Sequence, residues 1–194
     1  MKKRIAILQG NPDASTRHLG HALADAYAEG ALAAGHAVER VEIAQLEFPL
    51  LRTAVDWNTG LVPAALREAQ AAIGRADHLV LLFPLWAGTM PALTKGFLEQ
   101  VMRPGFAFRF GETGRPPKKG LAGKSARLVV TMGMPAFVYR WFYLAHGVRG
   151  VNRSLLRFCG IRPVRATYIG AVDAGNFHGA TWMGKMRALG RGAR

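Results

Sequence analysis

Cysteine, acidic side chains and long apolar runs are scarce in this sequence, and each scarcity excludes something. The single cysteine, Cys159, rules out an internal disulfide and a cysteine-built metal cage, and reads as a small apolar packing residue. No apolar stretch approaches the ~20 residues of a membrane-spanning helix. The stretch after Lys2-Lys3-Arg4 lasts only from Ile5 to Leu8, too short for a signal-peptide core. A cytoplasmic protein is expected. Twelve Asp and Glu against 26 Lys and Arg leave a net charge of +14, which favours anionic partners: nucleic acid, a membrane surface or a phosphorylated cofactor. The basic residues are spread out, with concentrations at 115–119, 162–165 and 187–194. They form neither a basic amphipathic helix nor a nucleic-acid module, so no nucleic-acid partner is expected.

Several motifs are absent too. No G-x-G-x-x-G, no G-K-[ST] closing a Walker loop and no G-x-S-x-G occurs, which disfavours a dinucleotide-binding Rossmann domain, a P-loop enzyme and a serine hydrolase. His21, His36, His78 and His178 show no H-x-x-x-H spacing and no paired carboxylates, so no metal is expected.

What remains is 194 residues, half of them hydrophobic, enough for one domain over 1–194 with a full core. Short β-type runs alternate with helical patterns, the order that gives a doubly wound α/β fold: a parallel sheet with helices on both faces. Strands are expected at 4–8, 37–43, 78–83, 126–131 and 164–170. The third is the most apolar and belongs at the sheet centre; the second carries Glu39, Arg40 and Glu42 and belongs at an edge. Helices are expected at 17–34, with Leu19, Leu23, Tyr27 and Ala31 on one face; at 63–74, opened by Pro63; from a cap at Thr89 and Pro91 to 101; over 137–158, interrupted near Gly147 and Gly150; and at 178–189, before a basic tail. Residues 44–62 read as a loop, and 103–124, dense in glycine and proline, as a long loop with room for a short hairpin.

In such a sheet, ligands bind beyond the carboxyl ends of the strands. Three loops leave such ends. The first, from Gln9 to His18, carries Ser15, Thr16 and Arg17 before a helix start, where hydroxyls, backbone N–H groups and positive charge could hold a phosphate; an ordinary capped helix start is the competing interpretation. The second, from Phe83 to Pro91, offers an aromatic and a turn with free N–H groups, a match for a planar heteroaromatic ring. The third, from Thr131 to Pro135, contains Gly133, which permits close backbone approach.

The stretch Phe83-Pro84-Leu85-Trp86-Ala87-Gly88-Thr89-Met90-Pro91-Ala92-Leu93-Thr94-Lys95-Gly96-Phe97-Leu98-Glu99-Gln100-Val101, followed by Gly105-Phe106-Ala107-Phe108, resembles the signature of the NAD(P)H:quinone oxidoreductase branch of flavodoxin-like proteins. The resemblance continues through Thr131 to Tyr139 and at Leu155-Leu156-Arg157-Phe158-Cys159-Gly160, so it covers most of the chain. It implies a flavodoxin-like five-stranded parallel sheet in the order 2-1-3-4-5, noncovalent FMN or alternatively FAD, a homodimer with two sites at its interface, and ping-pong hydride transfer from NADPH or NADH to a quinone-like acceptor. By that likeness Asn11, Ser15, Thr16, Arg17, His18 and Leu19 surround the flavin phosphate. Pro84, Leu85, Trp86 and Ala87 back the ring, and Thr131, Met132, Gly133 and Tyr139 contact its polar edge. Tyr139 and His146 match the assisting tyrosine and histidine, the latter after a one-residue shift.

Two departures stand out: the first loop is about two residues longer than in close relatives, and Met134 replaces a second glycine after Gly133. Trp141, Phe142 and Tyr143 read as helix packing or dimer contact. An alternative of another class is a flavin-binding regulatory subunit at a membrane transporter. A phosphoacceptor reading fails, because Asp13 and Asp77 alone lie near strand ends and Asp77 is at the wrong one.

Overall fold

The computed structural model describes residues 1–111 and 116–194; Gly114 and Arg115, placed above in the long loop and the first basic cluster, lie outside the described residues. The strands are β1 (Arg4–Gln9), β2 (Ala37–Glu42), β3 (His78–Pro84), β4 (Phe108–Arg109), β5 (Lys118–Lys119), β6 (Ser125–Thr131) and β7 (Val164–Ile169). The helices are α1 (Leu19–Ala33), α2 (Ala54–Thr59), α3 (Arg67–Arg75), α4 (Ala92–Val101), α5 (Ala136–Trp141), α6 (His146–Gly150) and α7 (Gly179–Arg191). The main sheet is parallel, in the order β2-β1-β3-β6-β7, and β4 pairs with β5 as a separate antiparallel hairpin inside the expected long loop. Counting the main-sheet strands alone, this is the doubly wound 2-1-3-4-5 order.

The period-2 pattern sends alternate side chains of the central strands to opposite faces. Ala6, Leu8, Leu79, Leu81, Leu128 and Val130 join Ile73 and Phe97 of α3 and α4 in one core. Ile5, Ile7, Val80, Leu82 and Val129 join Leu23 and Tyr27 of α1 and Met186 of α7 in the other. Each fully buried Leu, Ile or Phe contributes about 1.5–3 kcal/mol, so β3, buried everywhere except Pro84, anchors the domain. The register places Leu82 beside Gln9 and Pro84 beside Thr131, which brings three loop origins to one edge.

Local departures from the sequence expectations have identifiable causes. The first helix starts at Leu19 rather than Arg17, because His18 is extended and its N–H donates to His21 Nδ1 at 3.1 Å. Helix α2 lies within the expected loop at 44–62; Thr53 caps it, its Oγ1 accepting from the Asp56 N–H at 3.0 Å. Thr89 is not a cap: it closes a turn with Trp86, and Pro91 precedes α4. The break after α5 falls at Leu144 and Ala145, both left-handed, while Gly147 and Gly150 sit inside α6, which runs into a π-helical stretch, Val151–Leu156. The expected basic tail is docked: α7 reaches Arg191, Ala193 is buried, and Arg127 Nε donates to the Arg194 carbonyl.

At the amino end of β3, His78 is buried, with Nδ1 2.7 Å from Ser125 Oγ and its ring stacked on Tyr27. Burial, reinforced by Lys3, Arg127, Arg165 and His36, pushes its pKa down to about 4. An unfolded chain protonates this residue near the ordinary 6.5, whereas the folded one waits for about 4. Stability present above pH 6.5 is therefore lost as pH falls through that window, by about 3 kcal/mol once pH 4 is reached. Urea unfolding at pH 7 and pH 4.5 checks this; His78→Leu flattens the slope.

Candidate functional site

Beyond the carboxyl ends of β1, β3 and β6 lies a cleft of about 490 Å³, within the range of ligand sites. Its floor is built by close backbone approach. Gly10 N–H donates to Leu82 O at 2.7 Å, and Thr94 Oγ1 donates to Gly10 O at 2.6 Å. A Cβ at Gly10 would lie 2.8 Å from both Leu82 O and Thr94 Cγ2, so only glycine lets the first loop leave the sheet here. One wall is Gln9, Asn11, His18 and Leu19; the other is Pro84, Trp86, Thr131 and Asp173.

The wall from β3 is a tight turn. Trp86 and Thr89 exchange two backbone hydrogen bonds, of 2.9 and 3.0 Å, around Ala87 (φ +46°) and Gly88 (φ +79°). Two positive φ values in sequence define a type I′ turn, which favours Asn-Gly; Ala87 is therefore held in left-handed strain of about 1–2 kcal/mol. The turn leaves the Trp86 side chain 53% exposed at the cleft mouth. Ala87→Gly removes the strain and raises the unfolding free energy by about 0.5 kcal/mol, the gain being reduced by added freedom in the unfolded chain; chemical denaturation measures it.

Behind the turn, the Tyr139 hydroxyl donates to Gly88 O at 2.9 Å and accepts from the Val148 N–H at 3.3 Å. Tyr139 is 1% exposed, and burial pushes its phenol pKa upward. It ties the turn to α6. His146, the first residue of α6, is exposed and lines a neighbouring 820 Å³ cavity with Trp86, Ala87, Met90 and Lys95.

Of the residues expected at the site, Asn11, His18, Leu19, Pro84, Trp86 and Thr131 line the cleft together. Ser15, Thr16 and Arg17 line an adjoining hollow of about 330 Å³, and the Arg17 guanidinium pairs with Asp25. Leu85 and Met132 turn their side chains into the core, while Leu85 N–H donates to Thr131 O at 2.7 Å. A Cβ on Gly133 would lie 2.8 Å from Asp173 Oδ2, so this glycine lets the two loops meet.

Gln9, Asp173 and Asp13 line the cleft, although the sequence reading assigned none of them to the flavin site. Gln9 is 2% exposed; its Oε1 accepts from the Asn11 N–H at 3.2 Å, and its Nε2 is buried without a partner among the described residues. Asp173 follows β7, a fourth strand end to which the same loop rule applies. Asp13 lies inside the first loop and accepts from the Ser15 N–H (2.8 Å) and Ser15 Oγ (2.5 Å). Its other oxygen is 2.7 Å from His18 Nε2. The Ser15 hydroxyl and N–H, then His18, hold its pKa at about 2.

A flavin ring fits this set: an aromatic wall at Trp86, an unpartnered buried amide donor at Gln9 and a hydrogen-bonding edge at Thr131.

A family model described as the flavodoxin-like fold matches residues 3–187. The chain is 29% identical to the "Uncharacterized NAD(P)H oxidoreductase" of Haemophilus influenzae over 59% of this chain and 56% of that protein. It is 27% identical to the "FMN-dependent NADH:quinone oxidoreductase" of Alteromonas mediterranea over 71% of this chain and 72% of that one. The chain spans about half the length of most of the curated relatives it matches. Among solved structures it superposes on the "NAD(P)H:quinone oxidoreductase from Methanothermobacter marburgensis" with a TM-score of 0.82 and 21% identity, covering 100% of both chains. The chain belongs to the flavodoxin-like fold family, among relatives named NAD(P)H and NADH:quinone oxidoreductases.

Proposed function

We propose that this protein is an FMN-dependent NAD(P)H oxidoreductase that reduces quinones or similar electrophilic acceptors. The observation that carries the reading is the cleft at the carboxyl ends of β1, β3 and β6, with the exposed Trp86 ring facing it and the buried, unpartnered Gln9 Nε2 on its wall. FMN-dependent NADH:quinone oxidoreductases among the relatives support FMN over FAD. When bound, the flavin supplies the hydride-accepting and hydride-donating chemistry. The chain's own work is positional. Trp86, Pro84 and Gln9 would hold the ring, Gln9 through its free amide N–H. Thr131 O is held by the Leu85 N–H, which fixes the edge of the cleft. Tyr139 keeps the turn seated, and His146 stands at the substrate side, where nicotinamide and acceptor alternate.

Alternation at one face gives ping-pong kinetics. With FMN in excess, double-reciprocal plots of rate against NADH or NADPH at several quinone concentrations are expected to be parallel; intersecting lines contradict a shared face. The charge of +14 favours approach of either nucleotide. A homodimer is part of this reading: Phe137, Trp141 and Phe142 are 66%, 75% and 78% exposed beside the site, an apolar patch of the kind that a second copy covers. A cytoplasmic location suits these soluble reductants and acceptors.

A further inference from the structure

The flavin reading leaves Asp13 unexplained, and the following rests on that reading. A phosphate group at the start of a helix is held by hydroxyls, backbone N–H groups and a cationic side chain. The first loop assembles such a donor set, and its own carboxylate occupies it. Asp13 Oδ1 accepts from the Ser15 N–H at 2.8 Å and from Ser15 Oγ at 2.5 Å. Asp13 Oδ2 lies 2.7 Å from His18 Nε2 and 3.5 Å from Thr16 Oγ1. Asn11 Oδ1 accepts from the Asp13 N–H at 3.1 Å, which fixes the carboxylate's own backbone. The loop's guanidinium, Arg17, is turned away to Asp25, which also binds Arg40, so His18 is the basic side chain left beside the carboxylate. Asp13 and His18 both line the cleft, so the carboxylate stands on the flavin side of the loop.

We propose that Asp13 is a resident anion in the flavin phosphate cradle, so that FMN binds in competition with it. An incoming phosphate meets filled donors and a like charge, whereas an unphosphorylated flavin meets neither. The ring and its sugar-alcohol chain then supply most of the affinity. FMN is exchangeable rather than permanently held, and riboflavin binds comparably.

Asp13→Asn tests this, because an asparagine side chain still accepts from the Ser15 N–H and keeps the turn while losing the charge. Asp13→Ala empties the position and serves as the second variant. Binding of FMN and of riboflavin is followed by quenching of flavin fluorescence, with thermal melting to verify that each variant is folded. In both variants FMN affinity is expected to rise roughly tenfold to a hundredfold at low salt, the size expected for one charge facing a nearly dianionic phosphate at a surface, and the gain shrinks at high salt. Riboflavin affinity changes less than about threefold. FMN affinity that falls or stays constant, or both flavins moving together, overturns the proposal while leaving the flavin site standing. Failure of either flavin to bind any of the three proteins overturns the flavin reading and this inference with it.

Discussion

Replacing Gly30 by alanine costs about 3 kcal/mol of stability, a large loss for so small a change. Helices α1 and α7 meet backbone to backbone. A Cβ at Gly30 would lie 2.1 Å from Arg187 O and 2.7 Å from Arg187 Cα, and a Cβ at Gly190 would lie 2.1 Å from Tyr27 O. Backbone cannot swing aside as a side chain can. The helices must separate by about 1 Å or more to restore van der Waals contact, which loosens Leu23, Tyr27 and Met186 beneath them. Gly184, on α7 but facing open space, is the control. Gly184→Ala is expected to raise stability by about 0.5–1 kcal/mol through helix propensity alone. Urea denaturation of both variants reads opposite signs if the crossing is the cause.

Gly147→Ala is expected to weaken flavin binding about tenfold or more while unfolding the protein only partly, at a cost of about 1–3 kcal/mol. The new Cβ would lie 2.2 Å from Gly88 O and 2.8 Å from Thr89 Cα, so the turn carrying Trp86 must shift. That turn is already strained at Ala87 and is tied down by the Tyr139 hydroxyl at Gly88 O. Tyr139→Phe is the softer version: it removes the hydroxyl between Gly88 O and Val148 N–H, leaving a part-buried carbonyl and a buried N–H short of this partner, at about 1–3 kcal/mol. Fluorescence titration with FMN separates the two roles. A positioning residue changes flavin affinity and reduction together, whereas a tyrosine that only stabilises the fold lowers the melting temperature and leaves affinity unchanged.

The main sheet was legible because its signal is local and redundant. β3 is apolar on both faces, β2 carries charge at an edge, and the alternation of strands with helices leaves one architecture. Apolar residues at four-residue spacing located helix α4, whereas Thr89, read as its cap, closes the turn with Trp86. Features that depend on tertiary contact escaped. Nothing local marks Leu144 and Ala145 as left-handed; their conformation follows from the packing of α6 against the turn at Gly88. Glycines 147 and 150 look like helix breaks in sequence, yet Gly147 is there for close approach. Asp13 reads as a loop residue until the fold brings its carboxylate back onto Ser15 and His18. Thr53-x-x-Asp56 is a readable capping signal for α2, set in a segment whose composition otherwise resembles a loop. Asp173 required knowing that the loop after β7 curls back over Gly133.

The most direct test is an anaerobic absorbance titration with FMN kept in excess over its dissociation constant. If the cleft delivers hydride to a bound flavin, NADH or NADPH bleaches the flavin band near about 450 nm at a rate that saturates with nucleotide, and a quinone then restores it. Glycine or alanine substitutions that displace Trp86 slow both phases. Bleaching no faster than that of free FMN, or FMN that fails to alter its fluorescence on mixing with the protein, would contradict the oxidoreductase account.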